Sequence, residues 1–254
     1  MSPKHIGIAS VTAEGGALAF RHIVHISERI LGRDQHPEIS LHSHSFSKFS
    51  SVTSNRDQVW SALITESSRK LASAGAEFFI CPANTNHSVF DVVQETLAIP
   101  WLHIASMVAE HAHSRGYRKC LLLGTRYLLE SGIYPAYFEP KGIEVLIPDE
   151  ASKNTVQQII YEELIRGIVS TEARAFVVAL IKKYSTGGQC DSVVLGCTEL
   201  PMLIAESDAD IPTLDTTNIL ACGAVAAALG ITLANVEADV EANVEADVER
   251  VICD

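Results

Sequence analysis

Ser192-Val193-Val194-Leu195-Gly196-Cys197-Thr198-Glu199-Leu200 is the stretch whose reading decides the fold. A short, β-branched apolar run that stops at glycine reads as a buried strand, and the polar residues after it open a helix. The same order occurs earlier: Ala76–Cys81 (AEFFIC) is apolar, Pro82 breaks it, and Ala83-Asn84-Thr85-Asn86-His87 leads into a second helix. Positions 83 and 197 stand close to half the chain apart. The repetition predicts two similar α/β lobes, each a parallel sheet flanked by helices, facing one another across a cleft. Ligands in such sheets bind beyond the carboxyl ends of the strands, so both turns should point into that cleft.

Working outward, the same rhythm continues. His5–Ser10, Pro37–Ser45, Trp101–Ile104, Arg118–Gly124 and Ile143–Ile147 read as strands. Phe20–Leu31, Gln58–Ala74 (with Gly75 as its C-cap), Leu128–Phe138, Thr155–Ile168 and Thr171–Lys183 have helical spacing. Strands separated by helices of this length imply right-handed βαβ crossovers and parallel pairing. The expected division is residues 1–105 plus 208–233 for the first lobe, 106–207 for the second, and 234–254 as an acidic tail. In that tail Ala234–Glu241 (ANVEADVE) repeats unchanged as Ala242–Glu249, with six acids and no bases in the two copies. It reads as a solvated helical extension.

Lys and Arg number 19 against 31 Asp and Glu, a net charge of −12 over 254 residues. Phosphate-backbone binding needs clustered basic residues, so nucleic acid is excluded as a partner, and so is an anionic membrane surface. Glu14 interrupts the first apolar run, and the uncharged stretch Thr216–Val236 carries Gly223 and Gly230, which suits a buried small-residue helix better than a span. The six cysteines are scattered without a paired motif. That pattern is expected of reduced thiols in a cytoplasmic protein.

Taken together, Ala83-Asn84-Thr85-Asn86-His87 and Gly196-Cys197-Thr198-Glu199 resemble the paired turns of the cofactor-independent aspartate/glutamate racemases, which read Cys-Asn-Thr-x-His and Gly-Cys-Thr-Glu. The resemblance implies racemisation of an acidic amino acid, aspartate before glutamate, with no pyridoxal phosphate and no metal, and a homodimer. It also implies a thiol on each side of the substrate Cα, one removing a proton as thiolate and the other returning one as thiol. Cys197 fits one position, and a helix N-terminus there is expected to lower its pKa. At the other position stands Ala83, which has no proton to give. Three readings stay open: an engineered Cys→Ala change leaving an impaired racemase, a natural divergent member, or a one-cysteine decarboxylase or isomerase of the arylmalonate type. A non-catalytic amino-acid-binding protein is a fourth. The acidic tail and the first loop also resemble racemases of cyanobacterial peptide-synthesis (microcystin-type) clusters.

Substrate-binding candidates follow from the same resemblance. Asn84, Thr85 and Thr198 stand at turns where N–H groups and short polar side chains hold carboxylates. Thr125 ends another strand on the same side, and Ser10 and Thr12 occupy the first strand-loop. Arg166 and Lys48 are candidates for the cation facing a distal carboxylate. Cys81, two residues before Ala83, is roughly 6.5–7 Å further along the strand, too far to replace the missing thiol. His87 is expected to brace its helix start, and His42 with His44 to form a polar rim.

Overall fold

The computed structural model describes residues 2–240, so the second copy of the acidic repeat lies outside the described residues. Two four-stranded, all-parallel sheets form the frame. The first contains β1 (Ile6–Ser10), β2 (Ile39–Ser43), β3 (Phe78–Ile80) and β4 (Trp101–Leu102), in spatial order β2-β1-β3-β4. The second contains β5 (Lys119–Leu123), β6 (Glu144–Leu146), β7 (Ser192–Leu195) and β8 (Thr213–Asp215), in order β6-β5-β7-β8. The two orders are the same, so the chain is built on one plan used twice. The register sets Ile6 beside Ile39 and Phe78, and Cys120 beside Val145 and Ser192. Strands β1, β3 and β7 are buried at every residue, as continuous apolar runs in covered parallel sheets should be.

One expectation about the lobes needs correction. Residues 208–233 do not return to the first lobe as a block, because β8 pairs with β7 through Val193↔Thr213. The crossing back comes only after Asp215, which caps helix Thr216–Leu229 by accepting from the N–H groups of Thr217 and Asn218. That helix packs on helix Ala13–Leu31 of the first lobe and on helix Ile104–Ser114. Sequence reasoning overlooked the latter, although Ile104, Ala105, Val108, Ala109 and Ala112 recur at helical spacing and are all buried. One hydrophobic cluster runs through both helices and joins Ile6, Ile8 and Ile80 of the first sheet to Cys120, Leu122, Val194 and Leu214 of the second. Each such fully buried aliphatic side chain contributes about 1.5–3 kcal/mol. The lobes therefore share an interior.

Local chemistry shifts several boundaries. The first helix starts at Ala13, well before Phe20, because Thr12 caps it by accepting from the Gly15 N–H at 3.1 Å. The expected helix Leu128–Phe138 is broken into Arg126–Glu130 and Ile133–Phe138 by Gly132, whose φ of 73° lies in the left-handed region. The expected Thr155–Ile168 helix begins earlier, at Glu150, runs to Gln158, widens into a π turn at Ile159–Glu163 and tightens at Leu164–Arg166. Among the described residues, no single helix is long and apolar enough to cross a membrane.

Candidate active site

The turns after β3 and β7 come from different sheets and meet at one cavity of about 80 Å³. Ala83, Asn84, Thr85 and Asn86 line it from the first lobe, and Gly196, Cys197, Thr198 and Glu199 from the second. Glycine permits the close approach. A Cβ at Gly196 would fall 2.7 Å from the Leu123 carbonyl oxygen, and one at Gly15 would fall 2.9 Å from both Thr12 Oγ1 and Thr198 Oγ1.

Glu199 is the hub of the second turn. It is 2% exposed. Its Oε2 accepts from the Cys197 thiol at 3.0 Å and from Thr198 Oγ1 at 2.9 Å, while its Oε1 accepts from Thr12 Oγ1 of the other lobe at 2.9 Å. The sequence expectation for Cys197 is therefore corrected: its pKa is raised well above the ordinary thiol value, not lowered. Burial is the main cause and the Glu199 carboxylate the next; backbone N–H groups of Glu199 and Thr198 pull the other way and lose. Cys197 is therefore held as a neutral thiol that donates to the Glu199 carboxylate.

The first turn is organised differently. Asn84 is buried with its side chain committed at both ends: Oδ1 accepts from Tyr134 OH at 2.6 Å, and Nδ2 donates to Thr216 Oγ1 at 3.0 Å. Thr216 in turn donates to the Leu195 carbonyl at the end of β7. Asn84 thus fastens the turn to the second lobe, leaving its amide little to offer a ligand. Thr85 Oγ1 and Thr125 Oγ1 share a cross-lobe hydrogen bond at 2.9 Å. Asn86, 4% exposed, lines the cavity with Nδ2 unpartnered. A buried donor left unmet costs about 1–3 kcal/mol, so the cavity favours an occupant with an acceptor oxygen.

The remaining candidates separate cleanly. Thr12 and Thr125 line the cavity, and each also caps a helix. Ser10 is buried behind the first loop, where it donates to the Thr12 carbonyl at 2.7 Å, and is not part of the lining. Arg166 is exposed, paired with Glu162 at 2.8 Å and outside the lining; Lys48 is likewise exposed and outside it. Neighbours of both do reach the cavity, namely Phe46, Phe49 and Ser50 beside Lys48 and Ile165 beside Arg166. Cys81 is fully buried in the core, with burial pushing its thiol up to about 12. His87 binds the Cys81 carbonyl at 3.0 Å and packs against Trp101 and His103. His42 engages Ser67 and Lys70, and among the described residues no group of three His, Cys, Asp or Glu side chains is placed to hold a metal.

Sequence reasoning missed several lining residues. Trp60 reads by spacing as a core position, yet it forms a wall of the cavity while its Nε1 donates to the Phe49 carbonyl at 3.2 Å. Tyr161 reaches the site through the π turn, which displaces side chains from their regular helical positions and has no spacing signature.

Two like parallel-sheet lobes that close strand-end turns, a thiol and a carboxylate over one small cavity define a two-lobe enzyme class working on small molecules by proton transfer. Within that class the chain belongs to the Asp/Glu/hydantoin racemase family, whose profile matches residues 8–224. It is similar to the broad specificity amino-acid racemase RacX of Bacillus subtilis, 28% identical over 178 residues, which is 69% of this chain and 74% of RacX. A solved aspartate racemase homologue from Pyrococcus horikoshii shares 33% identity with a TM-score of 0.77, covering 89% of this chain and 99% of its own. A candidate Asp/Glu racemase from Yersinia pestis shares 34% identity with a TM-score of 0.80 over the same shares.

Proposed function

We propose that this chain takes a free α-amino acid, aspartate foremost, into the cleft and handles its α-proton from one side only. The observation that carries this reading is that Cys197 and Ala83 line the same cavity from opposite lobes. Cys197, after passing its proton to Glu199, can remove the α-proton or return it on its own face. On the other face Ala83 offers a methyl group where the resemblance implies a thiol, so inversion lacks its acid. The unpartnered Asn86 amide and the N–H groups of the first turn suit the α-carboxylate. The chain is thus an impaired racemase that exchanges hydrogen faster than it inverts configuration.

The test is incubation with L-aspartate in deuterated water, following α-deuteration and optical rotation separately for the chain with Ala83 and for Ala83→Cys. Exchange with retained configuration in the first and racemisation in the second is the expected pair of results. Absence of both reactions in Ala83→Cys, in a folded protein, would sink the assignment. A second reading, a one-cysteine decarboxylase, is favoured by the protonated state of Cys197, because that chemistry needs only an acid to quench the carbanion left by departing CO2. CO2 release from an arylmalonate would select it.

A further inference from the structure

We propose that Arg56 is the specificity residue that receives the second carboxylate of a dicarboxylic amino acid at the mouth of the cavity. This rests on the amino-acid reading above and adds the side-chain class. Among the described residues the cavity is lined by no lysine, arginine or histidine, so a distal carboxylate has to find its cation at the rim. Arg56 is exposed, and its guanidinium carbon lies 5.4 Å from the ring centre of Trp60, a wall of the cavity. It also lies 4.9 Å from the ring centre of Tyr127, which belongs to the second lobe. The group thus sits against an edge-to-face pair of rings, one from each lobe, which anchors the charge by cation–π attraction while the side chain stays exposed.

Further observations support this. The Arg56 side chain forms no ion pair or hydrogen bond with any described residue, whereas Arg166 is tied to Glu162. The neighbouring Asp57 is engaged by Tyr127 OH, which donates to its carboxylate at 3.2 Å. Arg56 also opens helix Arg56–Ser73, where a cation opposes the helix dipole and gains nothing from the helix. The Asn55 side chain makes no capping hydrogen bond there.

The deciding experiment is calorimetric titration of the full chain, and of Arg56→Gln, Arg56→Lys and Arg166→Gln, with aspartate and with alanine, which lacks the second carboxylate. Arg56→Gln is expected to weaken aspartate by about 10- to 100-fold and leave alanine unchanged. Arg56→Lys should fall between, and Arg166→Gln should match the parent. Aspartate binding unaltered in Arg56→Gln, or an equal loss for alanine, overturns the role of Arg56 while leaving the cleft as an amino-acid site. Failure of the parent chain to bind either amino acid overturns both.

Discussion

The turn after β3 and the turn after β7 occupy the same place in two copies of one sheet plan, yet they commit their polar groups differently. In the first, Asn84 spends both ends of its amide on Tyr134 and Thr216. In the second, Thr198 and Cys197 both donate to Glu199, which the cavity reaches directly. One turn holds the lobes together and presents a methyl group; the other gathers a thiol and a carboxylate at the cavity wall. Equal scaffolds therefore do not imply equal chemistry.

The largest expected effect comes from making the two turns alike. Ala83→Cys should raise racemisation by about 10²–10⁴-fold, the usual contribution of a positioned proton donor, measured by polarimetry. Removing Cys197 from that variant should abolish the gain. A smaller change sharpens the contrast in the second turn. Glu199→Gln removes the negative charge beside Cys197, so the thiol should ionise at lower pH and its alkylation at pH 8 should accelerate by about tenfold. An unchanged pH profile would deny Glu199 its hold on the thiol.

Stability tests the first turn. Asn84→Ala leaves Tyr134 and Thr216 short of partners and should cost about 1–3 kcal/mol in urea denaturation, against less than about 1 kcal/mol for Thr198→Ala. The histidines packed around the first turn add a pH signature. Burial lowers His103 to about 4 and places His87 well below its ordinary value. Both are neutral in the folded chain, whereas the unfolded chain takes up protons near 6.5. Stability is therefore full above that pH and falls as the pH drops toward 4, by up to about 1.4 kcal/mol per unit per group. Burial has the opposite consequence for Cys81, Cys120 and Cys222, each pushed up to about 12, so stability should decline again above about pH 8.5. The smallest effect expected is that of Arg166→Gln, whose surface pair with Glu162 should contribute under about 1 kcal/mol.

Much of the architecture was legible because central parallel strands are unbroken apolar runs. Phe78–Ile80, Lys119–Leu123 and Ser192–Leu195 all lie within runs read as strands. The short β8 escaped notice because Thr213-Leu214-Asp215 carries only one apolar side chain, and its pairing with β7 is a tertiary fact. The broken helix at Gly132 and the π turn at Ile159 likewise leave the apolar spacing largely intact. At the site, the paired turns announced which residues meet, but not the state of Cys197. Proximity to a helix start argued for an ionised thiol, whereas burial and the Glu199 carboxylate, both products of folding, decided otherwise. Lys48 and Arg166 lie outside the cavity lining for a related reason: neighbours such as Phe49 and Ile165 turn inward, and the charged side chains stay exposed.

The interior common to the two sheets has a bearing on traffic. Parting the two sheets would expose the apolar side chains packed around helix Thr216–Leu229, so entry is expected to yield at the rim instead, where Phe46, Phe49 and Ser50 from one lobe and Ile160, Tyr161 and Ile165 from the other line the cavity. How long a guest stays should then respond to the bulk of those side chains.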